Sequence, residues 1–240
     1  MTALSLRGLR GGVGTSSLIA ATGQALHRLG ERVLLVDMCP ENLLRLHFNV
    51  DVSEPSGWAR AMIDGVAWNT QAWDVEPGLS VLPYGRLKLE EQDQVEQHLL
   101  SEPMLWGRRQ ASLAEHFDWI LFDVPLRLPG HAHVGPCALR LRIVEADPAC
   151  HVLMQQDEAS SEHLLINRFD PVSQLQRDLL LIWSKQYGAR LLPLTVHLDE
   201  AMREALAFKK PVGAYAESSL AAQDVLSLAT WCLTRRSEAV

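Results

Sequence analysis

Short runs in which nearly every residue is apolar alternate along the chain with longer stretches whose apolar residues recur every three or four positions. A continuous apolar run predicts a strand buried on both faces, and the helical spacing predicts an amphipathic helix. Strands are predicted at residues 3–9, 33–37, 79–82, 119–123, 140–145, 163–167 and 190–197. Helices are predicted at residues 16–29, 172–187, 200–207 and 218–234, and residues 87–117 are mostly helical with a break near Pro103.

This alternation predicts an α/β fold with one doubly wound, mostly parallel sheet and helices on both of its faces. Strand, glycine loop, helix and strand follow one another within the first forty residues, which is the clearest local pattern. No repeat or linker divides the chain, so we expect residues 1–240 to form a single domain. Residues 125–136 contain three prolines and two glycines, which favours a loop or lid.

Composition and charge exclude several classes of protein. Lys and Arg number 22 against 29 Asp and Glu, and the net charge of −7 has the wrong sign for binding nucleic acid mainly through its phosphates. No apolar run approaches the ~20 residues of a membrane span, and the N-terminus lacks the features of a secretory signal. We therefore expect a cytoplasmic protein, in which residues 218–234 cover the sheet rather than anchor the chain to a membrane. The cysteines are widely spaced, with no disulfide or zinc pattern: Cys39, Cys137, Cys150 and Cys232.

The glycine-rich loop at residues 10–17 lies where α/β folds bind phosphates, between a strand and the N-terminus of a helix. Successive backbone N–H groups in such a loop point at an anion, and a following serine hydroxyl can bind Mg²⁺. A dinucleotide-binding fingerprint fits poorly because position 17 is serine. A generic Walker A motif also fails, because its first glycine is Leu9 and its lysine is Thr15. The alternative is a glycine-rich turn that serves only the fold.

Residues 10–16 resemble the deviant Walker A motif, K-G-G-x-G-K-T, of the MinD/ParA class of P-loop ATPases. Residues 39–51 and 57–65 most closely resemble the BcsQ (YhjQ) family within that class, the MinD-like accessory proteins of bacterial cellulose synthesis. The resemblance extends to the second strand, the Walker B strand, the adenine-recognising strand end, and the last strand with its helix. These motifs lie at residues 33–37, 119–125, 165–168, 192–205 and 210–212.

The resemblance implies a P-loop nucleotide-binding domain with ATP and Mg²⁺ as cofactors. Arg10 occupies the position of the signature lysine, which reaches across a dimer to the nucleotide of the partner. Ser16, Asp37 and Asp123 fall at the positions that hold magnesium, and Asp37 is also a weak candidate for ordering the attacking water. The cofactor-binding positions by the same resemblance are Gly11, Gly12, Val13, Gly14, Thr15, Ser16, Ser17, Asn167 and His197.

Two departures from the family pattern affect the predicted activity. Thr15 replaces the P-loop lysine, and the loss of one charge-assisted contact, worth ~1.5–3 kcal/mol, weakens phosphate binding without abolishing it. Cys39 replaces the second acid of the D-x-D switch, and a thiol orients water poorly near neutral pH. Since phosphoryl transfer depends on stabilised charge and an oriented nucleophile, we predict an ATP-bound dimer with slow or no hydrolysis.

The resemblance implies a homodimer formed across ATP, together with a small partner, BcsR, and association with BcsE and the cellulose synthase complex. That complex lies at the inner membrane, so the chain is expected on its cytoplasmic side, with no membrane span and no nucleic acid partner. Three alternatives remain: a cycling partition ATPase, a small-molecule kinase like dethiobiotin synthetase, and a scaffold without nucleotide. Thr15 and Cys39 disfavour the first, and Thr15 disfavours the second.

Two further clusters each have two interpretations. His131 and His133 are spaced as a metal pair on a strand, but the surrounding prolines and glycines favour a loop without metal. Trp58, Trp68 and Trp73 crowd into sixteen residues, which fits either a surface that docks a partner or core packing. The sequence leaves the tryptophan question open.

Overall fold

A computed structural model describes residues 1–156 and 161–238, with side chains described up to residue 236. An eight-stranded sheet runs through this part of the chain, in the order β3-β4-β2-β5-β1-β6-β7-β8. Neighbouring strands are parallel except β3, which pairs antiparallel with β4. The strands are β1 (Thr2–Gly8), β2 (Val33–Asp37), β3 (Trp73–Glu76), β4 (Leu79–Leu82), β5 (Trp119–Val124), β6 (Leu139–Glu145), β7 (His163–Phe169) and β8 (Leu191–His197).

Helices cover both faces of the sheet, and 3-10 turns at Leu44–Phe48, Trp68–Gln71 and Gly188–Arg190 join some of the elements. Among the described residues, no helix has both the length and the apolar character needed to cross a bilayer. The α-helices are α1 (Thr15–Arg28), α2 (Trp58–Asp64), α3 (Leu89–Ser101), α4 (Leu105–Leu113), α5 (Pro148–Gln156), α6 (Gln174–Tyr187), α7 (Ala201–Ala207), α8 (Val212–Tyr215) and α9 (Leu220–Glu238).

Side chains of the central strands are buried on both faces of the sheet, which explains the continuous apolar runs. In β2, Leu35 packs in the cluster formed with α1 and α9, whereas Leu34 and Val36 pack against α2, α3 and α4 on the opposite face. Helices α5 and α6 cover β6 and β7 in a third cluster. The predicted doubly wound α/β fold is therefore confirmed, and so is the prediction that the C-terminal helix covers the sheet.

Every strand that the apolar runs predict is present, and the helical stretch at residues 87–117 divides into α3 and α4 around Pro103 as expected. The structure adds β3, α2, α5 and α8, which the sequence patterns did not predict. These elements are short, and β3 is largely exposed at the edge of the sheet, so none carries a long apolar repeat.

Strand β8 forms the other edge of the sheet and contains Pro193. Its register against β7 shifts between the pairs Leu164–Leu191 and Ile166–Thr195, so β8 carries additional residues in a bulge that includes the proline. Proline cannot donate a ladder hydrogen bond and is tolerated in sheets at edges and bulges. The local sequence thus accounts for both the position and the irregularity of β8.

Candidate functional site

The loop between β1 and α1 lies at the carboxyl edge of the sheet, beside the ends of β2 and β5. Gly14 precedes α1 with φ of 87° and gives the helix no side-chain cap, and Gly12 also has a positive φ, of 79°. The first N–H groups of α1 therefore lack a capping side chain, and they form the positive end of the helix dipole. This arrangement is suited to binding an anion such as phosphate.

A cleft of about 610 Å³ opens beside this loop. Six of the predicted cofactor-binding residues line it: Gly11, Gly12, Gly14, Thr15, Ser16 and Ser17. Val13 differs, because it is buried in the core beneath the loop and does not line the cleft. The cleft also contacts residues that sequence analysis did not select, among them His47 of the first 3-10 turn and Leu206 of α7.

Two buried carboxylates face each other across β2 and β5, where Asp37 pairs in register with Asp123. The Asp37 carboxylate accepts hydrogen bonds from the backbone N–H groups of Cys39 (2.9 Å) and Leu44 (3.1 Å). Burial and the neighbouring Asp123 nevertheless raise the pKa of Asp37 well above its usual value. Ionising both acids in this dry site is therefore unfavourable.

Asp123 is the less satisfied of the two acids. Both of its carboxylate oxygens are buried without a hydrogen-bond partner, and the Ser16 hydroxyl lies near them without forming a bond of ordinary geometry. Burial raises the pKa of Asp123 to about 7. The Cys39 thiol lies in the same cluster and donates to the Asp123 backbone carbonyl (3.5 Å), and burial and the two acids raise the pKa of Cys39.

The donor set fits a divalent cation. One ligand atom from each of Asp37, Cys39 and Asp123 lies within 4.8 Å of the others. A buried carboxylate without a partner and with a raised pKa is stabilised in its ionised form by a nearby cation. The predicted magnesium residues are thus brought close together: Ser16 and Asp123 line the cleft, and Asp37 is buried beside Asp123.

Arg10 is held by acids of its own chain. Its guanidinium forms ion pairs with Glu145 at the end of β6 and with Asp147 (2.6 Å), and the bond to Asp147 raises the pKa of Arg10. Arg168 binds the same Glu145 (2.7 Å) and the carbonyl of Gly12 (2.8 Å), so Glu145 connects two arginines that flank the glycine loop. The predicted contact of Arg10 with the nucleotide of a partner requires it to leave these acids, and that role stays a prediction.

A smaller cavity of about 180 Å³ adjoins the main cleft and shares Gly14 and Ser17 with it. Asn167 lines this cavity and donates from Nδ2 to the Val13 carbonyl (2.7 Å), which links the end of β7 to the glycine loop. His197 also lines it, with Nδ1 2.8 Å from Asp224 Oδ2. The two predicted residues therefore lie on one cavity next to the glycine loop, and their contact with the base of a nucleotide stays a prediction.

Histidine 131 does not form a metal pair with His133. Its side chain is fully buried, with Nδ1 2.6 Å from the Glu96 carboxylate and Nε2 3.0 Å from the Tyr84 hydroxyl, whereas His133 is exposed. Both ring nitrogens of His131 are occupied, so the alternative of a metal pair is wrong. The loop interpretation of residues 125–136 is confirmed.

The three tryptophans differ in their surroundings. Trp58 is fully buried, and its indole N–H donates to the Asp37 carbonyl (2.7 Å), while Trp68 is half-buried and Trp73 is 40% exposed. The Arg109 guanidinium lies among the rings of Trp58, Trp68 and Trp106, and burial lowers the pKa of Arg109 to about 10. Core packing thus describes Trp58, which also contacts the site through the backbone of Asp37.

The chain is similar to known proteins over almost its whole length. The family model described as "Cellulose biosynthesis protein BcsQ" matches residues 1–233. The cellulose biosynthesis protein BcsQ of Escherichia coli (strain K12) is 44% identical over 242 residues, covering 99% of this chain and 96% of that protein. The BcsQ of Salmonella typhimurium is 43% identical over 239 residues, covering 97% of this chain and 94% of that protein.

Two solved structures with a similar fold contain bound nucleotides. The septum site-determining protein MinD complexed with Mg-ADP from Pyrococcus horikoshii has a TM-score of 0.71 at 20% identity and covers 95% of this chain and 94% of its own. Cobyrinic acid a,c-diamide synthase from Mycobacterium smegmatis, with a bound ATP analogue and magnesium, has a TM-score of 0.76 at 19% identity and covers 100% and 97%. At these identities the likeness establishes the fold, which is that of the MinD/ParA P-loop proteins.

Proposed function

The chain belongs to the cellulose biosynthesis protein BcsQ family, and from this premise we propose that it is an ATP-binding assembly factor that dimerises around its nucleotide and hydrolyses it slowly or not at all. The observation that carries the proposal is the cleft in which an uncapped helix N-terminus faces a buried carboxylate without a partner. The helix N-terminus is suited to binding phosphate, and the buried carboxylate is suited to binding the cation that accompanies it.

Triphosphate binding rests on the backbone of the glycine loop rather than on a lysine. Magnesium, when bound, neutralises phosphate charge, and Ser16, Asp37 and Asp123 are the residues that would hold it. Asn167 and His197 bound the neighbouring cavity, where they would contact the base. Because several N–H groups, a cation and the helix dipole act together, the absence of a cationic side chain at Thr15 weakens binding without removing it.

Slow hydrolysis follows from the same residues. Phosphoryl transfer requires stabilisation of the developing charge and a positioned water molecule. Thr15 supplies no positive charge at the transferred phosphate. Cys39 is a neutral thiol because burial and the two acids raise its pKa, so it accepts a proton from water poorly. Nucleotide occupancy, rather than turnover, then carries the signal to other proteins.

Dimerisation through the cleft face has support from the surface around it. Large apolar side chains are exposed at the mouth of the two cavities, a position where a second copy would bury them. They include Leu43 (48% exposed), Leu198 (49%) and Leu206 (36%). Arg10 lies at the same face, within reach of a partner once it leaves Glu145 and Asp147.

We further propose that this dimer acts on the cytoplasmic side of the inner membrane, at the cellulose synthase complex, with BcsR and BcsE as its protein contacts. The relatives named for cellulose biosynthesis support the process, and the partners are carried over from the family resemblance. A cycling partition ATPase is the alternative, and it requires the turnover that Thr15 and Cys39 disfavour.

The test measures mass and nucleotide content together. Full-length protein is incubated with and without ATP and Mg²⁺, its mass is determined by light scattering, and the retained nucleotide is identified by chromatography. We expect intact ATP in a species of doubled mass. Ser16→Ala should lower this retention, whereas Ser227→Ala on the exposed face of α9 should not. A monomer without nucleotide, or turnover at ~1 s⁻¹ or faster, contradicts the proposal.

A further inference from the structure

The cluster of Asp37, Cys39 and Asp123 contains a sulfur ligand where only oxygen ligands are expected for magnesium. The three ligand atoms lie within 4.8 Å of one another, and the cluster faces the cleft through Cys39 and Asp123. Ligand atoms on one tetrahedral zinc ion lie roughly 3.5 Å apart. Small movements of side chains at the ends of β2 and β5 are therefore enough to close the three atoms around a cation.

The two buried acids of the cluster also lack a positively charged partner among the described residues. Asp123 is 1% exposed, and neither of its carboxylate oxygens has a hydrogen-bond partner. Asp37 is fully buried beside it, and its two oxygens accept only backbone N–H groups. Arg10 and Arg168, which flank the glycine loop, are paired with Glu145, and among the described residues neither acid of the cluster forms an ion pair. A divalent cation is the group that satisfies both acids at once.

We propose that Asp37, Cys39 and Asp123 form a binding site for a thiophilic divalent cation, of the class of Zn²⁺, that needs no nucleotide. Sulfur ligands select zinc and related metals, whereas magnesium prefers oxygen ligands and keeps its waters. When Cys39 Sγ binds the ion, its thiol proton passes to solvent, so the bound ligand is the thiolate. The fourth coordination position faces the cleft and is open to water. Since no nucleotide takes part, this site is tested separately from the ATP-dependent dimer.

The experiment uses the full chain, reduced, stripped of metal and free of nucleotide. Co²⁺ serves as the probe, because its bond to a thiolate gives a charge-transfer band in the near ultraviolet. We expect that band on addition of one equivalent of Co²⁺, followed by its loss when Zn²⁺ displaces the cobalt. Competition with a chromophoric chelator then gives the affinities for Zn²⁺ and Mg²⁺, with Zn²⁺ bound at least tenfold more tightly.

Three variants test what the sulfur of Cys39 contributes to binding and to the choice of metal. Cys39→Ser should abolish the band and weaken Zn²⁺ binding by at least roughly tenfold, since even an indirect ligand partner is typically worth that much. Cys39→Asp should retain a cation but lose the preference for Zn²⁺ over Mg²⁺. Cys137→Ser is the matched control, because Cys137 is also half-buried but lies outside the cluster, and it should change neither the band nor the affinities.

A fourth measurement does not depend on the folding of any variant. In the unaltered protein, excess Zn²⁺ should slow the alkylation of Cys39, followed by mass spectrometry, and leave that of Cys137 unchanged. Cobalt bound without a thiolate band, a band that persists in Cys39→Ser, or equal alkylation rates with and without Zn²⁺ would each overturn the proposal.

Discussion

At the scale of single residues, the pair Asp37 and Asp123 links the stability of the fold to the chemistry of the cleft. Burial raises the pKa of both carboxyl groups, and that of Asp123 reaches about 7 from an ordinary value of 3.8. The folded protein therefore holds protons in a pH range where the unfolded chain has released them. Stability falls as pH rises through that range, because the unfolded state then binds fewer protons than the folded one.

The direction of this pH dependence leads to a prediction for the metal-free protein. The contribution of these two acids to the free energy of unfolding should fall as the pH rises from about 4 to 7, whereas buried His47, with its pKa lowered to about 4, contributes with the opposite sign. A divalent cation should reverse the loss by stabilising the ionised acids. Asp123→Asn removes the contribution of Asp123, so its stability relative to the wild type should increase as the pH rises from about 4 to 7, and the variant should be the more stable of the two at pH 8 in the absence of cations. Asp93→Asn, on the exposed side of α3, serves as the control. Denaturant unfolding at several pH values is the measurement, and equal slopes in wild type and Asp123→Asn would contradict this account.

Gly14 supplies a second prediction, because two constraints meet at this residue. Its φ is 87°, and an added Cβ would lie 2.7 Å from Asn167 Nδ2. Gly14→Ala should therefore lower the free energy of unfolding by at least about 1 kcal/mol, through left-handed strain alone. It should also disturb the bond from Asn167 to the loop. Thermal unfolding and ATP binding measure the two effects.

Gly11 provides the matched control within the same loop. An added Cβ at Gly11 meets no atom within 4 Å, and its φ is not positive. Gly11→Ala should therefore change stability by less than about 0.5 kcal/mol. Equal destabilisation by the two substitutions would show that the conformation of Gly14 is not the cause.

The sequence was sufficient to predict the members of the site that belong to continuous motifs. The glycine loop, Asp37, Asp123 and Asn167 each follow or end an apolar strand, so their positions at the carboxyl edge follow from the order of elements. Glu145 was not predicted, although it also ends a strand. Its role depends on Arg10 and Arg168, which come from different segments, and such a pairing leaves no local pattern.

At the scale of elements, α2 and α4 support the end of β2 from the far side of the sheet. Trp58 of α2 is fully buried, packs edge-on against Tyr84 and Trp106, and binds the carbonyl of Asp37. The Tyr84 hydroxyl in turn contacts His131, whose Nδ1 contacts Glu96 of α3. The loop at residues 125–136 is thereby connected, through Tyr84 and Trp58, to the end of β2 at Asp37.

The third prediction tests this support. Trp58→Phe keeps an aromatic ring but leaves the buried Asp37 carbonyl without its donor, and it should lower the free energy of unfolding by about 1–3 kcal/mol. Trp73→Phe, at a side chain that is 40% exposed, should cost less than about 1 kcal/mol. Chemical denaturation measures both. Equal costs would indicate that the indole hydrogen bond contributes nothing.

Elements were predictable where their own sequence carried a long enough pattern. Helix α1 and the strands β2 and β5 have continuous or periodic apolar residues over their whole length. Helix α2 has only seven residues, and the four-residue β3 is largely exposed and alternates apolar with acidic residues, unlike the equally short β4, which is fully buried. Their formation depends on packing against distant residues, such as Trp58 against Tyr84 or β3 against β4.

At the scale of the whole molecule, the proposed dimer competes with a contact inside each copy. Arg10 pairs with Asp147, and Asp147 Oδ1 also accepts the N–H of Cys150 at the start of α5. An asparagine at position 147 keeps that accepting oxygen and loses the charge. The substitution therefore removes one of the two acids that hold Arg10, the other being Glu145, and keeps the hydrogen bond that begins α5.

The fourth prediction follows from this competition. Asp147→Asn should tighten the ATP-dependent dimer by up to about fivefold for each copy of Arg10, because a partly exposed ion pair is worth about 1 kcal/mol or less and its loss favours contacts across the interface. Glu217→Gln, which removes a partner of Arg28 remote from the cleft, is the control. Sedimentation at several protein concentrations with ATP and Mg²⁺ measures the affinity. A dimer weakened by Asp147→Asn would contradict the role of Arg10 in trans.

The bulge at Pro193 bears on how many copies of the chain associate. An open strand edge lets one subunit after another add by hydrogen bonding, which leads to filaments. In β8 the proline removes a donor and the bulge interrupts the ladder, while the four-residue β3 at the opposite end carries Asp74 and Glu76. Growth by strand addition is therefore disfavoured at both ends of the sheet. The proposed contact through the cleft face pairs the same surface of two copies, and such a contact closes at two.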